Sequence, residues 1–175
     1  MLVLTWLNRR QTPEYQGGFL LDGGISFVAG LRSLLGAAGS DITHVAAFTS
    51  LLKQHLAPVD TVHATVQITN GNNGTFSLSF GAEFGCAFDI QVVTEKGAVT
   101  VRPTAVVVTT RENKRGQAHS FESCKGIRQE VAAFAQSIRT GQLDKRGSPE
   151  QALKDLKVIQ AMLDSSENAR KVKAV

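Results

Sequence analysis

The sequence predicts an α+β fold: an open, mostly antiparallel sheet with helices packed on one face. Three observations predict it. Short segments between residues 42 and 110 alternate apolar and polar side chains with a period of two. Three other segments repeat apolar residues every three or four positions, which marks a helix face. Glycine- and asparagine-rich stretches such as "NGNNG" (70–74) separate the segments, as tight turns require.

Taken in order, residues 1–12 have no periodic partner and read as an atypical leader, and residues 13–175 read as one domain. The apolar run near Met1 is short, and its charges follow rather than precede it, so it does not read as a secretory signal. "TPEYQGG" (12–18) is turn chemistry. A helix is expected over 22–36, with Ile25, Val28, Leu31 and Leu35 as its stripe and Asp22 as its N-cap. Gly36 and Gly39 end it. "ITHVAAFTSLL" (42–52) adds a strand. "TVHATVQIT" (61–69) and "TFSLSF" (75–80) form a hairpin with one apolar face and one face of Thr, Ser, Gln and His. Further strands fall at 88–92, 98–101 and 105–110. A second helix over 126–140 carries the stripe Val131, Phe134, Ala135 and Ile138 and stops at Gly141. The third, 149–165, begins with Ser148 as cap, Pro149 at its first position and Gln151 closing a capping box. The three helices are expected to cover the apolar side of the sheet.

Composition excludes several function classes. The chain has 175 residues, 42% of them hydrophobic and 19% charged, with a net charge of +4. At this size a folded chain buries roughly 70% of the surface its unfolded form exposes, so disorder is not expected. The basic tail of Arg170, Lys171 and Lys173 reads as solvated and frayed. No clustered basic face with interleaved aromatics is visible, so nucleic acid is not an expected partner. No stretch approaches the roughly 20 apolar residues of a membrane span, so no membrane partner is expected. Cys86 and Cys124 make neither a disulfide framework nor a metal spacing. They suit a reducing, cytoplasmic setting.

Motifs narrow the chemistry further. No G-x-G-x-x-G opens a helix after a strand, no phosphate loop ends in G-K-[ST], and no G-x-S-x-G elbow is present. His44, His55, His63 and His119 show no ligand spacing, so no metal site is expected. Glu83 and Asp89 read as solvated carboxylates. What stands out is "GGFLLDGGISF" (17–27), where two glycine pairs fence Asp22 and Ser26 follows four residues later. At a helix start, free N–H groups and the dipole favour an ionised Asp22, which makes it an acceptor and orienter rather than an acid. A residue four places on faces it across one turn. A histidine there could pass a proton during alcohol oxidation. Gly18, Gly23 and Gly24 would let a substrate approach the backbone. On the residues alone a plainer reading stands beside this one: Asp22 caps, and the glycines shape a turn.

From here the sequence resembles a known family. "PEYQGGFLLDGGISFVAGLRSLLG" (13–36), "PVDTVHATVQITNGNNGTFSLSFGAEF" (58–84), "VVTEKGAVTV" (92–101) and "EVAAFAQSIRTGQLDKRGSPEQALKDLKVIQAMLDSS" (130–166) together resemble the C-terminal domain of the Gfo/Idh/MocA oxidoreductases. The resemblance implies two-domain enzymes in which a Rossmann domain binds NAD or NADP. A second domain closes the substrate pocket, and its sheet often forms the subunit interface. It implies a catalytic lysine in an E-K-P motif of the first domain and an Asp-x-x-x-His pair in the second. Asp22 matches that aspartate, and Ser26 stands where the histidine falls. Serine does not titrate near neutral pH and cannot shuttle a proton as imidazole does. About 120 residues of a usual member, the nucleotide domain among them, have no counterpart here. "EKG" at 95–97 lies in a turn and is not the E-K-P lysine.

Two functions follow from the resemblance. The first is the substrate-binding and oligomerising half of an NAD(P)-dependent oxidoreductase acting on a sugar or polyol. It would hold no cofactor and have no activity as this chain alone. The second is a non-catalytic module that pairs through its sheet face, at Thr65, Gln67, Ser77 and Ser79, with itself or with longer relatives. Both predict a homo-oligomer through the sheet.

Overall fold

A computed structural model describes residues 18–84, 87–123 and 126–175. The leader read at 1–12, most of the "TPEYQGG" turn, and both cysteines lie outside the described residues. The order of elements is α1 (Gly18–Ala37), β1 (Ile42–Ser50), β2 (Thr61–Ile68), β3 (Asn73–Ser79), β4 (Ile90–Thr94), β5 (Gly97–Arg102), β6 (Ala105–Thr110), β7 (Gln117–Ser120), α2 (Ile127–Thr140), α3 (Pro149–Glu167) and β8 (Lys173–Ala174). They divide into two units, the first holding residues 18–84 and 149–175, the second residues 87–148.

In the first unit a four-stranded sheet runs in the order β3-β2-β1-β8, antiparallel throughout. Its inner face is apolar because alternate residues point the same way. Val45, Ala47, Val62, Ala64 and Val66 are all buried there. The helices α1 and α3 pack together, and α3 lies against β1. Leu20, Val28 and Leu35 of α1 and Val158, Ile159 and Met162 of α3 complete the core. A narrow apolar crevice of about 10 Å³ remains between Leu20, Gly24, Phe76, Leu78, Ile159 and Met162, room for one water at most. The opposite face is assembled from rows read straight across the register. They are His44–Gln67–Asn73, Ala46–Thr65–Thr75, Phe48–His63–Ser77 and Ser50–Thr61–Ser79.

The α+β fold of open antiparallel sheets and three helices is as expected, with four differences in the first unit and in the strand pairing. First, α1 is already helical at Gly18, so Asp22 lies within the helix and is not its N-cap. The apolar stripe extends back to Leu20, which is 1% exposed, and its burial carries the helix one turn further than the sequence indicated. The free N–H groups of the first turn therefore belong to residues before Asp22. Second, α1 has 20 residues and a mean hydropathy of 1.3, long and apolar enough to cross a membrane. Its apolar side is spent on the sheet, and it holds a buried Arg32. Third, the C-terminal tail is not frayed. Lys173 and Ala174 pair with Val45 and His44, and Val175 N donates to Thr43 O at 2.9 Å. The open edge of β1 offers backbone partners that a two-residue strand can take without any sequence signal. Fourth, the strands form two sheets of four rather than one.

The second unit contains the sheet β4-β5-β6-β7, antiparallel throughout, and α2. Glu95 and Lys96 make the turn between β4 and β5, as the sequence indicated. α2 does not bury the expected stripe: Val131, Phe134 and Ile138 are exposed. Its half-buried side is instead Ala133 and Ser137, where Asp144 N donates to Ser137 Oγ at 3.0 Å as the following loop folds back.

Candidate functional site

Asp22 and Ser26 project from the exposed side of α1, one turn apart. Residues at this spacing have Cβ atoms about 5–6 Å from each other. Ser26 Oγ donates to Gly23 O at 3.1 Å, back along the helix, so its proton is engaged locally. Asp22 adds a carboxylate, acceptor-only when ionised, to the same face.

The glycines around them have packing partners within the chain. Gly18 has φ of +44°, and a Cβ there would sit 2.5 Å from Pro58 Cδ. At Gly23 a Cβ would lie 2.7 Å from Phe80 Cζ. Gly24 is buried, with Leu78 and Ile159 where a side chain would go. Each close approach is by Pro58, Phe80 or the core, and this is what lets α1 lie near the sheet. The ring of Phe80 fills the space over Gly23. Phe19 meets it edge-on at 4.9 Å between centroids, and Phe27 lies tilted at 6.2 Å. An aromatic cluster thus flanks the Asp22–Ser26 face, and sequence reasoning missed it. The signal was present in the spacing of Phe19, Gly23 and Phe27 on one side of the helix.

The far end of α1 is fixed by charge. Arg32 is 8% exposed and donates to both carboxylate oxygens of Asp41 at 2.9 Å, to Asp155 Oδ1, and to the side-chain oxygen of Gln151 at 3.2 Å. The guanidinium holds Asp41 below the usual carboxylate range, chiefly through those hydrogen bonds. In return Asp41 raises Arg32. A second buried carboxylate, Asp60, accepts from Leu52 N, Lys53 N and Thr61 Oγ1 and closes the turn before β2. These acids are structural.

The other residues singled out in the sequence lie elsewhere. Glu83, read as a solvated carboxylate, pairs with Lys53. His63 Nδ1 is 2.8 Å from Ser77 Oγ on the outward sheet face. Among the described residues no group of three or more His, Cys, Asp or Glu could hold a metal. The residues present also do not fit a dinucleotide. Both sheets are antiparallel, so the described residues contain no parallel β–α–β unit to cradle a pyrophosphate at a helix start.

Comparison with known proteins agrees with this architecture. A family model described as "Oxidoreductase family, C-terminal alpha/beta domain" matches residues 4–174. The dehydrogenase FPY6 of Fusarium mangiferae is 40% identical over 160 residues, covering 90% of this chain and 46% of its own length. An oxidoreductase from Thermotoga maritima superposes with a TM-score of 0.79 at 24% identity, covering 97% of this chain and 48% of its own. An oxidoreductase from Agrobacterium radiobacter, solved in complex with NAD+, L-tartaric acid and magnesium, gives 0.73 at 16% identity over 99% of this chain and 53% of its own. The chain thus spans about half the length of the relatives it matches. With both sheets, three helices and nearly every residue accounted for, the chain belongs to the Gfo/Idh/MocA oxidoreductase family, as its C-terminal alpha/beta domain.

Proposed function

We propose that this chain is the substrate-side and self-associating half of an NAD(P)-dependent dehydrogenase that oxidises a hydroxyl of a small sugar or polyol. The observation that carries the reading is the exposed Asp22–Ser26 face on α1, in a chain 40% identical to a dehydrogenase of twice its length. Asp22 accepts a hydrogen bond from a substrate hydroxyl and orients it. The Phe19–Phe80–Phe27 cluster offers apolar surface to the carbon face of a sugar ring. Ser26 has its hydroxyl on Gly23 O and no proton to exchange near neutral pH, so proton removal falls to a group outside this chain. A nicotinamide would have to be supplied by another domain or subunit, because none of the described residues cradles one. The test is titration of the 175-residue chain with NADH and NADPH by calorimetry. No binding up to millimolar cofactor is expected. Micromolar binding would mean that this half carries its own nucleotide site, and the division of labour proposed here would fall.

The sheet supports the second part of the reading. Antiparallel sheets often wet one face, and wet faces usually carry Lys, Glu and Arg. The rows from β1 to β3 carry Thr, Ser, Gln, Asn and His instead. That composition favours self-association through this face, whether or not the chain also contributes to a dehydrogenase.

A further inference from the structure

We propose that the segment Lys171–Val175 is an exchangeable strap: the edge of β1 that it covers accepts the same segment from a second copy of the chain. The inference concerns the edge of the first sheet and stands apart from the reading of its outward face.

The first observation is how that edge is divided. At one end Lys173 pairs with Val45 and Ala174 with His44, and Val175 N donates to Thr43 O at 2.9 Å. At the other end two hydroxyls from the last turn of α3 stand in for a strand. Ser165 Oγ accepts from Ala47 N and Ser166 Oγ from Thr49 N, both at 3.0 Å. An open edge pairs with any extended chain. This one is closed from Ala47 onward, so it admits only a segment a few residues long. Ser165 Oγ also donates to Lys171 O at 2.7 Å, which marks where such a segment must enter. The occupant that meets all of this is the strap itself, from the same copy or from another.

The second observation is the grip. Val172 is 66% exposed and Val175 39%, so the strap is held by backbone hydrogen bonds more than by burial. A segment with few apolar contacts opens readily.

The third observation is the turn that leads into it. Ala169 and Arg170 have φ of 56° and 62°, and among the described residues they are the non-glycine residues with positive φ. For a residue with a Cβ this conformation is disfavoured by a factor of about five or more. Lys171 N, donating to Asn168 O at 3.3 Å, and Arg170, with Cζ 5.2 Å from the centre of the Phe48 ring, hold the turn closed. Opening it relaxes both residues. A strained hinge beside a segment that fits its own fold is the arrangement that exchanges between copies. Fully extended, the stretch from Asn168 to Lys173 spans roughly 20 Å, about four strand spacings, which lets it cross to a neighbouring edge. Each edge in the exchanged pair regains the strap bonds it had, and both hinges lose their strain.

The test compares the 175-residue chain with Arg170→Pro, Arg170→Ala and the double variant Ala169→Gly, Arg170→Gly. Proline forbids the closed turn, glycine adopts it freely, and alanine keeps it while removing the contact with Phe48. Each chain is refolded at about millimolar concentration as an equal mixture of isotope-labelled and unlabelled copies. Isotope-filtered NMR then reads whether Lys173 pairs with Val45 of its own copy or of another. Wild type should show contacts between copies that fade on dilution, and Arg170→Pro should show them almost exclusively. Arg170→Ala should raise exchange about 2- to 5-fold. The glycine pair should lower it on the order of 5-fold for each residue relaxed. These residues lie outside the core, so circular dichroism should show every variant folded. If Arg170→Pro is not, the glycine pair decides, and exchange equal to wild type overturns the proposal. An Arg170→Pro chain whose Val45 amide is unprotected at every concentration also overturns it, because the strap has then detached without finding a partner. So does a wild-type chain with no contact between copies at millimolar concentration. A dimer that keeps every Lys173–Val45 contact within one copy refutes exchange and leaves pairing through the outward face standing.

Discussion

Replacing Arg32 by methionine should cost the first unit about 3–4 kcal/mol of stability at pH 7. The guanidinium is buried between α1, the start of β1 and α3, where it pairs with Asp155 and with both oxygens of Asp41. Methionine keeps most of the volume, so the cost is electrostatic. Asp155, 7% exposed, is left as a buried carboxylate without its cation. Removing one partner of such a pair costs about 3–5 kcal/mol. Asp41 is 39% exposed at its side chain, so its share is discounted towards the ~1 kcal/mol of a surface pair. Urea unfolding followed by circular dichroism reads the effect. With a slope near 2 kcal/mol per molar, the midpoint should fall by roughly 1.5–2 M. The pH dependence supplies a second check. Arg32 depresses the Asp41 carboxyl in the folded state, chiefly by hydrogen bonding. A depressed carboxyl contributes stability that is fully present above its unfolded value, about 3.9, and is lost as the pH falls through the lower folded value. The methionine variant lacks that contribution, so its deficit against wild type must narrow as the solution is acidified below about pH 4. A midpoint shift under 0.5 M at neutral pH, or a deficit that stays constant into acid, would refute the account. The double variant Arg32→Met, Asp155→Leu should recover most of the loss, because an apolar replacement leaves no orphaned charge.

Two further substitutions probe the same unit. In Gly81→Ala the new Cβ would meet Leu52 Cβ at 2.7 Å and come nearer still to Asp60 Oδ2. It should cost about 2–3 kcal/mol by overpacking a fully buried, hydrogen-bonded carboxylate, and a loss below about 0.5 kcal/mol in urea unfolding would show that the turn yields freely. Ser165→Ala removes a buried hydroxyl that accepts from Ala47 N at 3.0 Å and donates to Lys171 O. The loss should be about 1–3 kcal/mol, with the amides of Lys173 and Val175 exchanging faster in hydrogen-exchange measurements; unchanged exchange would mean the tail does not depend on this serine.

Much of the fold was legible because each element writes its own period. The β2–β3 hairpin shows in strict alternation from Thr61 to Phe80, and α3 shows in Pro149 followed by a helical stripe. The missed elements have no such signature. β7 is four exposed residues with no alternation, and β8 is two residues that pair only because β1 has an open edge. The split into two sheets depends on pairings between distant segments, which no local pattern reports. The buried charges were missed for a different reason: a charged residue reads as exposed until its partners are known. Arg32 nevertheless sits four residues after Val28 and three before Leu35, on the buried stripe, and that position was the available clue. At the site, the Asp22–Ser26 spacing was readable. The role of the glycines was not, because Pro58 and Phe80 are brought to them only by the folded sheet.

The distribution of charge in the first unit joins these points. An isolated domain ordinarily keeps ionised groups in water and neutral ones inside. This unit buries Arg32, Asp60 and Asp155 and leaves twelve outward sheet positions without a formal charge. Burying ion pairs gains little stability over apolar packing, so their value is in fixing geometry. Here they fix α1. Arg32 ties its C-terminal half to β1 and α3, while Gly18 against Pro58 and Gly23 against Phe80 seat its N-terminal half on the sheet. A helix held at both ends presents Asp22 and Ser26 from a rigid element, which is what orienting a substrate hydroxyl requires. The same sheet that seats α1 on one side turns its neutral face to the other.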